Sequence, residues 1–288
     1  MTRTARPSSS APVYRMAHGA YMAEIASLGG GIKALTYNGE PLVETYEGLP
    51  PMCAGVVLAP WPNRTEDGCF TWRGTEHLVP VNEPERNNAN HGFVLDAAWD
   101  LFYYATDRVQ LTTRIEEPWP WPTQLIATYT LDAAGLSARF EASAEGPAPF
   151  AFGLHTYLSA RGAAADASEL TLPVTEHHLL DARNLPTGEV EEVVVKRQRI
   201  AEVEWDDCFH GHGPLTAEYV SAGKGVRLEM GQGLDWVQMY TPADYPGRGR
   251  ALAVEPMSAP PNALRSGTDV AVLNAHQPIA YELRLSAI

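Results

Sequence analysis

Alternation constrains this chain more than any other feature. From Tyr21 onward it reads as short runs in which apolar and polar residues repeat with period two, each closed by a turn signal. Tyr21–Ser27 is such a run, broken by Gly29-Gly30-Gly31, and Ile32–Tyr37 follows, closed by Asn38-Gly39. Asn-Gly tolerates positive φ at both positions and is a strong hairpin signal. Phe70–Trp72 and His77–Val79 flank Arg73-Gly74; Leu101–Tyr104 and Val109–Arg114 flank Asp107-Arg108. Gln124–Leu131 and Leu136–Ala142 flank Ala133-Ala134-Gly135, and Leu215–Val220 and Val226–Met230 flank Gly223–Gly225. Trp236–Tyr240 and Ile279–Leu285 complete the set. No amphipathic helix of ordinary length interrupts them, and 23 prolines and 24 glycines are scattered between the runs. The chain is therefore expected to be all-β, either a large sandwich or a closed barrel.

At 288 residues, with no Pro/Gly/Ser-rich linker, the chain reads as one domain over residues 11–288. Met1–Ser10 is polar, buries nothing obvious and reads as a disordered tail. The formal net charge is −14, from 35 acidic and 21 basic residues. Such a surface disfavours nucleic acid and anionic membranes as partners and favours solubility. No apolar stretch is long enough to span a bilayer. Cys53, Cys69 and Cys208 are odd in number and far apart, so no disulfide framework is expected and a reducing cytoplasm is the simplest compartment.

Chemistry-bearing residues gather in four segments between strands: Ala59-Pro60-Trp61-Pro62-Asn63-Arg64, Asn87–Phe93, Phe152–Tyr157 and Ala253–Met257, with a lesser group at Trp205–Phe209. Each residue has a bland reading. His155 sits in an apolar run and fits a hydrogen-bonded core histidine as well as a catalyst. Glu255 follows a buried-looking Leu252-Ala253-Val254, so its carboxylate must be paired or have a raised pKa. Arg64 fits a structural ion pair or a ligand clamp, and His91 fits a turn. Cys208, His210 and His212, and the adjacent His177-His178, match no good zinc spacing, so no metal is expected. No phosphate loop opens a helix and no nucleophile elbow is present.

In this order the four segments resemble the aldose 1-epimerase (mutarotase) family. Asn63-Arg64 with Asp67-Gly68-x-Phe70 is similar to the family's Asn-Arg motif. The Asn-x-x-x-His-Gly stretch ending at His91-Gly92 is similar to its first histidine motif, and Gly153–Tyr157 to its second. Val254-Glu255-Pro256-Met257, with Pro261-Asn262 behind it, resembles the late glutamate motif, and Trp236–Thr241 the strand before it. The resemblance implies a large antiparallel β-supersandwich, no cofactor and no metal, and a shallow sugar cleft. Two departures stand out. Phe93 takes the place of a second glycine, and the substrate aspartate falls on Asp206-Asp207, where spacing favours Asp206.

The function implied is interconversion of the α and β anomers of a free aldohexose such as glucose or galactose. Opening and closing the ring needs one base and one acid that exchange roles. Glu255 is expected to take the C1 hydroxyl proton and His155, as a cation raised by nearby carboxylates, to protonate O5. His91 is the expected helper. Asn63, Arg64, Asp206, Asp207 and Tyr157 are the expected hydroxyl contacts, and Trp61 either stacks on the sugar or packs in the core. The sugar is the only partner implied, with a monomer or weak homodimer as the assembly. Rival readings are an epimerase of 6-phospho or sulfonated sugars, for which no cationic set beyond Arg64 is evident, a non-catalytic carbohydrate-binding protein, and a glycosidase or lyase. The prominent histidines fit the last poorly.

Overall fold

Thr123–Asp132 shows why the chain forms sheets: burial alternates residue by residue along its whole length. Such a strand puts every second side chain on one face, and that face must be covered. The computed structural model describes residues 11–275 and 277–288, so the expectation of a disordered tail at Met1–Ser10 lies outside the described residues.

Two large antiparallel sheets solve the covering problem. The nine-stranded sheet runs, in spatial order, Asp100–Ala105, Arg108–Ile115, Thr123–Asp132, Gly135–Ala144, Ile279–Ala287, Lys224–Met230, Thr216–Ser221, Glu169–Leu172, Val195–Arg199. The eight-stranded sheet runs Pro186–Glu192, Glu176–Leu180, Asp206–His210, Trp236–Tyr240, Leu252–Met257, Gly153–Leu154, Val57–Leu58, with Tyr157–Leu158 also on Leu252–Met257. A four-stranded sheet, Val13–His18 to Glu40–Pro41, adjoins them. One core cluster runs from Met16 to Leu285 and includes residues of both large sheets, among them Leu125, Tyr129, Phe140, Phe209, Val237 and Met239. The sheets are open, which settles the choice between sandwich and barrel left by the alternation. Among the described residues the single α-helix is Ala263–Ser266, and no helix is long and apolar enough to cross a membrane.

The turns fall where the turn residues stand. Asn38-Gly39 and Arg73-Gly74 both have positive φ, as two-residue hairpins require. Gly31 answers to a different need. A Cβ there would collide with the carbonyl oxygen of Gly55, whose own position is fixed by a hydrogen bond from Ile32. Cys53, Cys69 and Cys208 are all free thiols.

Three strands of the eight-stranded sheet carry no alternation signal. Glu176–Leu180 reads Glu-His-His-Leu-Leu and Pro186–Glu192 is polar and mostly exposed. Both sit at one end of that sheet, where the edge has no neighbour to cover it and polar residues are favoured. Gly153–Leu154 is only two residues long.

Candidate active site

The register of the central strands assembles the site. Residues directly opposite one another in an antiparallel pair share a face. Gln238 lies opposite Glu255 on one side and Cys208 on the other, while Tyr240 lies opposite Asp206 and Ala253. Glu255, Gln238, Tyr240 and Asp206 therefore point to one face, away from the inter-sheet core. Asp207 pairs with Met239 and points to the other face, where its Oδ1 lies 3.1 Å from His177 Nε2. Of the two aspartates expected to meet the substrate, Asp206 shares the face of Glu255, and side-chain alternation puts Asp207 on the other.

His155 is held between the Gly153–Leu154 and Tyr157–Leu158 strands, its N–H donating to Val56 and its carbonyl accepting from Gly55. This fixes its ring beside Glu255, Nε2 to Oε1 3.3 Å apart. Tyr157 stacks on the ring at 5.3 Å and donates its hydroxyl to the Met52 carbonyl. It braces His155, and no sugar contact need be invoked for it.

His91 comes from the hairpin that carries Arg64. Arg64–Glu66 pairs with Asn88–Asn90, and His91 then turns with φ 64°. The backbone N–H of Asn63 donates to His91 Nδ1 at 3.1 Å. A nitrogen that accepts cannot carry the proton, so in the neutral ring Nε2 is the donor. The His91 and His155 rings meet edge to face at 5.5 Å. At Gly92 a Cβ would strike the Ala59 carbonyl oxygen, so the glycine is needed to bring His91 in.

Arg64 is held in a structural ion pair, one of the two readings the sequence left open. Its Nε and Nη2 make a two-pronged pair with Glu83, at 2.9 and 3.0 Å, and Nη1 lies 3.5 Å from Asn63 Oδ1. Burial alone would raise the Glu83 carboxyl, but bonds from Arg64, Asn88 and Arg86 hold it below the usual range. The Arg64 carbonyl accepts from Asn262, whose Oδ1 accepts from Glu66, so the residues behind the Glu255 motif clamp the Asn63-Arg64 segment.

Electrostatics departs from expectation at His155. Burial drives it down to about 4, only partly opposed by a backbone hydrogen bond, so the ring is neutral near pH 7. His91 is held well below its usual value by burial, then by His155 and Arg64. Glu255 is raised well above the carboxylate range by burial and the Asp206 charge, against the pull of Arg64. A cationic His155 is thus not the resting form. Burial thus works against a charge on either group, raising Glu255 and lowering His155.

Trp61 is not at the site surface. It is buried between Phe93 and Trp119, with Nε1 donating to Ala89, and serves the core. Gln238, Asn184 and Glu83 were not anticipated. Gln238 Nε2 and Asn184 Nδ2 donate to the two oxygens of Asp206, at 2.9 and 2.5 Å, and hold it as an acceptor. The signal for Gln238 was present: it is a lone polar residue, in phase with Trp236 and Tyr240, inside an apolar strand. Nothing in the local sequence marks Asn184 or Glu83.

Buried atoms here that lack partners among the described residues include His155 Nδ1, Glu255 Oε2 and Gln238 Oε1, although the last two side chains are directly opposed. Buried oxygens left unpaired are costly unless a ligand or water meets them. The aldose 1-epimerase family profile matches residues 12–286. The chain belongs to the aldose 1-epimerase family. It is 32% identical over 278 residues to the uncharacterized protein YihR of Escherichia coli (strain K12), covering 91% of this chain and 89% of that one. It is 29% identical over 146 residues to the galactose mutarotase of Mus musculus, covering 48% and 42%. In fold it is similar to the GalM/aldose epimerase homologue from C. elegans, with a TM-score of 0.86 at 16% identity over 97% and 99% of the two chains. The fold is thus the galactose mutarotase-like supersandwich that the resemblance of the motifs implies.

Proposed function

We propose that this chain is an aldose 1-epimerase that interconverts the α and β anomers of a free aldohexose such as glucose or galactose. One observation carries the reading: a buried His155–Glu255 pair at 3.3 Å, with an unpartnered Glu255 oxygen on the same sheet face as Asp206 and Gln238. The galactose mutarotase of mouse, matched over part of the chain, supports the choice of reaction.

The proton inventory fits the reaction. In the sugar-bound form Glu255 is the carboxylate and His155 the cation. Glu255 takes the proton from the C1 hydroxyl while His155 gives one to O5, and the C1–O5 bond breaks. The pair now carries its proton on Glu255 with His155 neutral, the same form that burial favours before sugar binds. The aldehyde rotates about C1–C2. His155 then takes the proton back from the O5 hydroxyl as Glu255 returns one to the oxygen at C1, and the ring closes on its other face. Loading the next sugar moves the proton from Glu255 Oε1 to His155 Nε2 across 3.3 Å, as sugar hydroxyls take over the solvation of the carboxylate. His91 Nε2–H donates to O5 or a ring hydroxyl. Asp206, held by Gln238 and Asn184, accepts from sugar hydroxyls, and Arg64 with Asn63 borders the ring. A cytoplasmic location fits three free thiols.

Polarimetry on freshly dissolved α-glucose and α-galactose tests the reading. Equilibration faster than in buffer alone is expected, and an unchanged rate with both sugars would overturn it. Running glucose 6-phosphate alongside separates the modified-sugar reading. Saturation-transfer NMR without exchange would point instead to a binding protein.

A further inference from the structure

Glu176, His178 and His210 meet on the same face of the eight-stranded sheet as the acid–base pair. Glu176 and His178 are two apart on one strand and so share a face; His210 lies opposite Glu176 on the next. Glu176 Oε2 is 3.2 Å from His178 Nε2 and 3.0 Å from His210 Nδ1, and the three ligand atoms all lie within 4.8 Å of one another. In a tetrahedral zinc site with bonds of about 2.0–2.1 Å, donor atoms stand roughly 3.3 Å apart. The two spacings to Glu176 already meet it, and the two imidazole nitrogens lie within 4.8 Å of each other.

Its surroundings suit a bound ion. Both imidazoles rest against Trp236, with centroids at 4.7 and 4.4 Å, and Trp236 is itself tied to Asp269. The ligands stand on paired strands, so their geometry is set before any ion arrives. The side chains are only partly covered, which leaves an entry path. His212 Nε2 lies 3.8 Å from the other oxygen of Glu176, within reach as a fourth ligand. The chain's spacing hid this set, since the ligands come from two strands with Pro186–Glu192 and Val195–Arg199 between them in sequence, and the sequence suggested no metal.

We propose that Glu176, His178 and His210 form a binding site for a divalent transition-metal ion of the zinc class. Two imidazoles and a carboxylate are a borderline-soft donor set, which disfavours calcium and magnesium. In register, His178 lies opposite Cys208, Cys208 opposite Gln238, and Gln238 opposite Glu255. Three strand spacings put the ion about 14 Å from the acid–base pair, on the same face. The site is separate from the proposed anomer exchange, and its test does not depend on that activity.

The test uses the untagged full chain after dialysis against a chelator. Co2+ is titrated while the visible d–d bands are followed, and Zn2+ binding is measured by calorimetry. One equivalent, saturable, with tetrahedral-type Co2+ absorption is expected. His178→Gln and His210→Gln should each weaken binding at least about tenfold, the size that even indirect support of a ligand commands. His155→Asn should leave it unchanged. Circular dichroism of the metal-free variants checks that each is folded, and having two variants protects the test against one that is not. Absence of saturable binding, or equal affinity in both folded variants, would overturn the proposal.

Discussion

His155 Nε2 stands 3.3 Å from Glu255 Oε1, and both side chains are almost wholly buried, at 7% and 3% exposure. Two groups so placed share one proton, because burial opposes a charge on either. An acid and a base in contact, each disfavoured as a charge, are what the proposed proton transfer needs.

Removing either member should stop proton transfer. Glu255→Gln and His155→Asn are each expected to slow anomer exchange by roughly 10²–10⁴-fold while the fold survives, since both replacements keep shape and hydrogen bonding. Polarimetry gives the rate and circular dichroism the fold; near-normal exchange in either folded variant would refute the assignment.

Exchange should follow a bell-shaped pH profile. The working pair holds one proton. Below pH 4 a second proton goes onto His155, whose value lies at about 4, and the base is lost. On the alkaline side the last proton leaves at the raised value of Glu255, and the acid is lost. Rates of exchange from pH 3 to 10 check this. In Glu255→Gln the alkaline limb should vanish from any residual activity.

The same shift predicts a stability gain. Glu255 has a folded pKa above its unfolded one, so its contribution is fully present below the unfolded value and is lost as pH rises through the folded value. Glu255→Gln abolishes this loss. The variant should melt higher than the parent at pH 8, and the difference should shrink toward pH 4. His155 works in the opposite sense, with stability lost as pH falls from its unfolded value through about 4. Equal melting differences at both pH values would contradict the shift assigned to Glu255.

The two neighbouring aspartates should separate cleanly. Asp206 faces the cleft on Gln238 and Asn184, and Asp207 faces His177. Asp206→Asn is expected to raise KM for sugar roughly 10- to 150-fold, the about 1.5–3 kcal/mol of a charged hydrogen bond. Asp207→Asn should leave KM unchanged. The reverse order in steady-state kinetics would show the strand register to be wrong.

Glu83 should behave as a positioning residue through Arg64. Both side chains are only 10% exposed. Glu83→Gln leaves a guanidinium without its partner and should cost roughly 3 kcal/mol of stability by urea unfolding. KM should rise while the pH profile keeps its limbs, because the acid–base pair is untouched. A shifted profile would mean that Glu83 acts on the pair directly.

Much of this was readable along the chain, and the divide follows a physical line. Alternation at Thr123–Asp132, the Asn38-Gly39 turn and the ordered motifs at Arg64, His91, His155 and Glu255 are local patterns, and a strand's period or a turn's φ is decided by neighbours in sequence. Glu176–Leu180 and Pro186–Glu192 escaped because strands at an open sheet end need not alternate. Which aspartate shares the face of Glu255, where Trp61 packs, what holds Arg64, and which way burial shifts the pair all belonged to the tertiary structure. Each depends on register between distant strands and on how much water is excluded. Glu255 and His155 stood out in the ordered motifs; only their joint burial decided that the carboxyl is shifted up and the imidazole down, to about 4.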